Sequence, residues 1–147
     1  MTEPGPEQKL PPDLLARATL RGREYAWALP DIPLVIEAAR AANLVSIGGQ
    51  LQFRIPDDGT CECYWIEVDT YKTVDSKLPW DERVSQTAAV ALRDFAMLKQ
   101  RFDFVAEGMK GFAKHLKAFT AAGGNLDDAM CFVWYLHDET SLSIPSP

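Results

Sequence analysis

The side chains with chemistry to offer are three cysteines, two histidines and a crowded set of carboxylates. Cys61 and Cys63 stand two apart, which on a strand puts both thiols on one face. With Cys131 and His137 they would make up a Cys3His zinc set. Structural zinc takes paired cysteines two to four residues apart, on a turn. Here one residue intervenes, within a strand pattern, and the other two ligands lie more than sixty residues away. Three buried thiols acting as small hydrophobes are the simpler expectation, with no metal and no cofactor.

His137, followed by Asp138 and Glu139, is the better placed histidine for acid–base work, since a carboxylate can orient its imidazole. No nucleophile stands beside it, so a structural role at a strand end is expected. His115, near Lys114 and Lys117, reads as a surface residue. Asp57, Asp58, Glu62, Glu67 and Asp69 crowd the hairpin, but Asp57-Asp58-Gly59 is too short to be an EF-hand loop, whose ligand positions span twelve residues. Gly48 and Gly49 fit neither GxxxxGK[ST] nor GxGxxG. Inside a strand pattern they predict a bulge or a close approach by another backbone. No catalytic residue is assigned, and the balance leans away from an enzyme.

Charge is more informative. The net charge of −6 is unevenly spread. Residues 56–82 hold eight acids and two bases, for −6, and residues 121–147 hold four acids and no base, for −4. Residues 83–120 hold three acids and seven bases, for +4. An acidic face disfavours nucleic acid and anionic lipid and suits a basic protein; the plainer reading is a solvated, solubilising surface. The residues expected to meet such a partner are Asp57, Asp58, Glu62, Glu67, Asp69, Trp80, Asp138 and Glu139. For Trp80 the favoured reading is a staple at the start of the helix that follows it, with an exposed aromatic anchor as the alternative.

The elements that would carry these residues follow from periodicity. Leu51, Phe53 and Ile55 alternate with Gln50, Gln52 and Arg54; Pro56 to Gly59 supplies a turn; Cys61, Cys63 and Trp65 then alternate with Glu62, Tyr64 and Ile66. This is a hairpin of strands at about 45–55 and 60–69. The expected register sets Ile55 opposite Cys61, Phe53 opposite Cys63 and Leu51 opposite Trp65, with Arg54 facing Glu62. A third strand, about 129–137, is apolar on both faces, as a central strand would be. Trp65 and Trp134 are expected in the core.

Asp31 can cap a helix over 31–43. A seam from Val84 through Phe95 and Phe102 to Phe119 recurs at spacings of four and three. Unbroken, it would run about 60 Å, longer than a domain of this size. Two helices, 81–101 and 104–121, are therefore expected, with Asp103 or the Gly108/Gly111 pair as the break. Nearer the N-terminus, a short helix from Asp13 to about Arg21, ended by Gly22, precedes an edge strand or extended segment over 23–29. The fold class is α+β, with a small antiparallel sheet packed against helices. One domain spans 13–138, a mobile tail 1–12 and a C-terminal tail 139–147.

With 47% hydrophobic residues, no apolar run of membrane-spanning length and an odd number of cysteines, a reducing cytoplasm fits best. The expected function is a non-enzymatic, acidic protein-binding protein, in one version a bacterial inhibitor or immunity protein that neutralises a basic toxin. The first alternative is a small enzyme or ligand-binding domain with a pocket between sheet and helices, lined by aromatics and by Cys61, Cys63, His137 or the carboxylates. The second is a structural homodimer through the 84–119 seam.

Overall fold

The computed structural model describes residues 5–56 and 59–142. Five antiparallel strands form one sheet, in the order β1 (Thr19–Arg21), β2 (Glu24–Trp27), β5 (Met130–His137), β3 (Val45–Arg54), β4 (Thr60–Asp69). One face is covered by α2 (Ile32–Ala41), α3 (Trp80–Arg101) and α4 (Phe104–Ala121). The short helices are α1 (Pro12–Ala16), α5 (Leu126–Ala129) and α6 (Glu139–Leu142). This is the α+β architecture expected, and β5 is the central strand. Among the described residues no helix is long and apolar enough to cross a membrane.

Inward alternation builds the core. Trp27, Leu51, Phe53, Cys61, Cys63, Phe132 and Trp134 share the helix-covered side with Ile32, Ile36, Ala88, Phe95 and Leu116. The helical seam breaks where the chain turns extended at Phe102, and the Asp103 carboxylate caps α4 by accepting from Ala106 N at 3.1 Å. A second interruption falls beside the glycine pair: Phe112, directly after Gly111, leaves helical geometry (φ −138°, ψ 35°) and kinks α4. A Cβ on Gly108 would stand 2.4 Å from the Phe53 ring, and one on Gly111 2.6 Å from the Trp65 ring. They are the points where α4 settles on the sheet. Seam residues Val84, Ala88, Ala91, Phe95 and Leu116 are buried inside their own chain.

Gly48 and Gly49 combine both expected roles. The β3–β5 register shifts between Ser46 and Gly48. A Cβ on Gly48 would meet Val68 O at 1.9 Å, and one on Gly49 would meet Val133 O at 1.6 Å.

Three sequence expectations are corrected. The hairpin register lies two residues away from that expected: Phe53 pairs with Cys61, Gln52 with Glu62 and Leu51 with Cys63. Both registers keep the same side chains inward, so burial alone cannot choose between them. Next, Leu51↔Cys63 is followed by Gln50↔Glu67, so Tyr64, Trp65 and Ile66 bulge out of the ladder. The alternation flips there: Ile66 is buried and Trp65 is 38% exposed rather than core. Third, the helix from Asp13 stops at Ala16, and 19–27 forms a hairpin about Gly22 (φ 61°). Its outer strand β1 is the sheet edge, and β2 pairs with β5.

Packing reaches further toward the N-terminus than residue 13. Leu10 and Leu14 are buried, and Trp27 Nε1 donates to Leu14 O at 2.9 Å. Of the expected tails, residues 1–4 and 143–147 lie outside the described residues.

Candidate functional site

Strand β4 is the far edge of the sheet, and the bulge gives it its surface character. Tyr64 is 69% exposed and meets Trp65 edge-to-face, with ring centroids 5.4 Å apart. Trp65 turns onto α4, where its ring stacks on Phe112 at 6.4 Å and 13°. Its Nε1 donates to Glu107 Oε1 at 3.1 Å. Lys110 Nζ lies 2.7 Å from Glu107 Oε2. That contact foremost holds the Glu107 carboxyl below its ordinary pKa; burial opposes it and the Trp65 N–H adds to it.

The carboxylates expected at the site divide. Glu62 is exposed beside Tyr64 and accepts a long bond from Gln52 Nε2, 3.4 Å. Glu67 is exposed and pairs with Lys72 at 2.9 Å. Asp69 turns back to accept from Tyr71 N at 3.0 Å. A groove of about 210 Å3 between β4 and α3 is lined by Glu67, Asp69, Asp94, Lys72, Arg101 and Met97. Glu62, Glu67, Asp69, Tyr64 and Trp65 thus share one edge. Trp80 works elsewhere: its Nε1 donates to Asn43 O at 2.9 Å, tying the start of α3 to the end of α2. Asp138 pairs with Lys9 at 3.3 Å beyond the end of β5, and Glu139 opens α6. Asp57 and Asp58 lie outside the described residues.

The zinc set does not converge. Cys61 and Cys63 face the helices, whereas Cys131 joins Ala26 and Val133 on the opposite face. Among the described residues no group of three or more His, Cys, Asp or Glu side chains is placed to hold a metal ion. Burial pushes the Cys63 thiol up to about 12 and the Cys131 thiol to about 11. His137 sits 3.3 Å from Tyr71 Oη through Nδ1. Burial first, then Arg83, lowers its pKa, against the pull of Asp138. His115 is exposed, as expected.

Sequence reasoning missed the sheet's other face. Arg54 does not face Glu62; it is 6% exposed and spreads its guanidinium over acceptors. Nε donates to Gln52 Oε1 (3.1 Å), Nη1 to Thr19 O (2.7 Å) and Thr19 Oγ1 (3.0 Å), and Nη2 to Glu24 O (3.0 Å). Tyr135 Oη donates to Glu24 Oε2 beside it. Burial raises the Tyr135 phenol above its ordinary value, and the Glu24 and Glu62 carboxylates add to that. Arg21 closes the end of the face: Nη1 donates to Gly59 O (3.2 Å) and Thr60 Oγ1 (2.9 Å), and Nη2 to Ile55 O (2.8 Å). The sequence signal was the polar row Gln50, Gln52, Arg54, a second face unlike a solvated one only in what it meets.

At the hairpin-tip end of this face lies a cavity of about 590 Å3, bordered by Arg21, Arg54, Ala26, Met130 and Cys131. Of the residues expected to line a pocket between sheet and helices, Cys63 is core and His137 lies at the opposite end of β5 from Cys131, while Cys61 borders a small cavity of about 90 Å3 with Phe112 and His115.

No family model, no curated protein and no solved structure matches this chain.

Proposed function

We propose that the protein is a non-enzymatic binder that holds a basic protein against the β4 edge and the adjoining β4–α3 groove. One observation carries this reading: the aromatic pair Tyr64 and Trp65 stands exposed on an edge strand between the exposed carboxylates of Glu62 and Glu67. Tyrosine and tryptophan supply most anchor energy at protein interfaces, and flanking charge steers the encounter. Lys72 pairs with Glu67 at the surface, where solvent and salt screen the interaction. A partner's lysine or arginine can replace it. Met97, 46% exposed at the groove, offers an adaptable apolar contact.

The version in which the partner is a basic toxin, and the protein a cytoplasmic inhibitor or immunity protein of a bacterium, rests on the same charge complementarity. Affinity capture from the native host, followed by mass spectrometry and a salt series, tests the reading. A basic partner is expected, held by wild type, released by moderate salt, and lost to Tyr64→Ala. Recovery of no basic protein, or binding indifferent to both salt and Tyr64, overturns it.

A further inference from the structure

The cavity on the sheet's open face owes nothing to the acidic edge, and its lining has the opposite character. We infer that it binds a small organic monoanion, an apolar body carrying one carboxylate or singly charged phosphate head. Three observations point there.

The first is size and shape. A volume of about 590 Å3 lies in the range of small-molecule sites, roughly 300–1,000 Å3. Its walls come mainly from the sheet strands and α5, with Arg17, Ala28 and Pro56 added from the connecting segments at the rim.

The second is charge. Arg54 and Arg21 border the cavity, and among the described residues no carboxylate forms an ion pair with either guanidinium. Arg54 is held by backbone carbonyls, Gln52 and Thr19, which orient it without an ion pair; the Glu24 carboxylate, bonded to Tyr135, acts on it only through space. Arg21 spends three hydrogen bonds on the hairpin end. A guanidinium carries five N–H groups, so two remain for a ligand among the described residues. Arg17 at the rim is already answered by Asp31 at 3.1 Å. A buried guanidinium beside a half-buried one, both bonded to neutral acceptors, is the arrangement an anion completes.

The third is the remainder of the lining. Leu20, Ala26, Ala28 and Met130 give the cavity an apolar wall, so inorganic anions leave most of it unfilled. Asp127 and Asp128 stand exposed on α5 at the mouth. They oppose highly charged ligands, which is why a single negative charge is assigned.

The test uses the full chain and four probes: benzoate, its neutral isostere benzamide, phenyl phosphate and inorganic phosphate. Each is titrated to millimolar concentration while amide resonances are followed. Benzoate is expected to move Thr19, Ala26 and Cys131, and to bind about tenfold more tightly than benzamide, the worth of one charge-assisted hydrogen bond. Arg21→Gln should weaken benzoate by a similar factor. Should that variant disturb the hairpin, Ala28→Trp, at an exposed position, plugs the cavity with every arginine left in place and should abolish binding. Equal affinity for benzoate and benzamide, no saturable shift with benzoate, or unchanged binding in Ala28→Trp overturns the inference. Tighter binding of dianionic phenyl phosphate, or of inorganic phosphate, overturns the assignment to an organic monoanion.

Discussion

Trp65 donates to Glu107 Oε1 at 3.1 Å while its ring lies on Phe112, so one indole pins β4 to α4. Its neighbour Tyr64 makes no such tie among the described residues and leans on the Trp65 ring. The two exposed aromatics therefore separate stability from binding. Tyr64→Ala should leave urea unfolding within about 0.5 kcal/mol of wild type. Trp65→Ala should lose about 2 kcal/mol, from the stacked ring and the bond to Glu107 together. If the β4 edge anchors a partner, Tyr64→Ala should still weaken that complex by about 2 kcal/mol, measured by calorimetry on the captured partner.

Gly49 makes the sharpest structural claim. The carbonyl of Val133 stands 1.6 Å from where a Cβ would be, so backbone would have to move. Gly49→Ala should cost about 3 kcal/mol in urea unfolding, at the upper end for overpacking. Gly59 is the control, since a Cβ there would meet nothing within 4 Å: Gly59→Ala should change little.

Much of this was readable in advance, and the failures have definite causes. The strands around Phe53, Cys61 and Phe132 and the helices carrying Phe95 and Leu116 announce themselves by long runs of one period. The break at Phe102 and Asp103 follows from a length argument plus a capping residue. The register failed because a slip of two residues keeps Phe53 and Cys61 inward either way. The bulge was missed because Trp65 continues the alternation of Cys61 and Cys63 as a hydrophobe, although it lies on α4. Strand β1 is three residues long, too short for periodicity to tell from a helix end. The open face stayed hidden because its bonds join Arg54 to Thr19 and Glu24, thirty or more residues away. Of the carboxylate and tryptophan sites expected, Glu62, Glu67 and Asp69 share an edge; Trp80, Asp138 and Glu139 do not, because α3 begins and β5 ends elsewhere.

His137 gives a pH prediction with a definite sign. Burial, helped by Arg83, lowers its pKa below the ordinary 6.5. The unfolded chain then binds the proton more readily, so stability is full above 6.5 and falls as pH drops toward the folded value. Urea midpoints should decline between about pH 7.5 and 5.5 in wild type, and decline less in His137→Gln. Glu7, raised above 4.5 chiefly by burial, contributes the opposite slope at lower pH, but both proteins carry it and it cancels. Equal slopes in the two proteins would place the proton uptake elsewhere.

Arg54 is where the two halves of the sheet are joined across the open face. It leaves β3 and bonds to Thr19 on β1 and to the carbonyl of Glu24 on β2, strands that β3 does not touch in the ladder. Removing it leaves those part-buried acceptors and Gln52 Oε1 without their donor, and each group left unsatisfied carries a desolvation cost. Arg54→Met should therefore destabilise by about 3 kcal/mol despite being larger in apolar content. Arg54→Lys keeps the charge but not the planar fork, so it should recover only part of that loss, leaving about 2 kcal/mol. The loss should also be localised. In amide exchange, protection should fall first in Thr19–Arg21 and Glu24–Trp27, while Val45–Arg54 and Met130–His137 keep theirs, since their ladders to each other do not depend on the guanidinium. Uniform loss of protection across all five strands would mean that Arg54 supports the core as a whole rather than the hairpin it reaches.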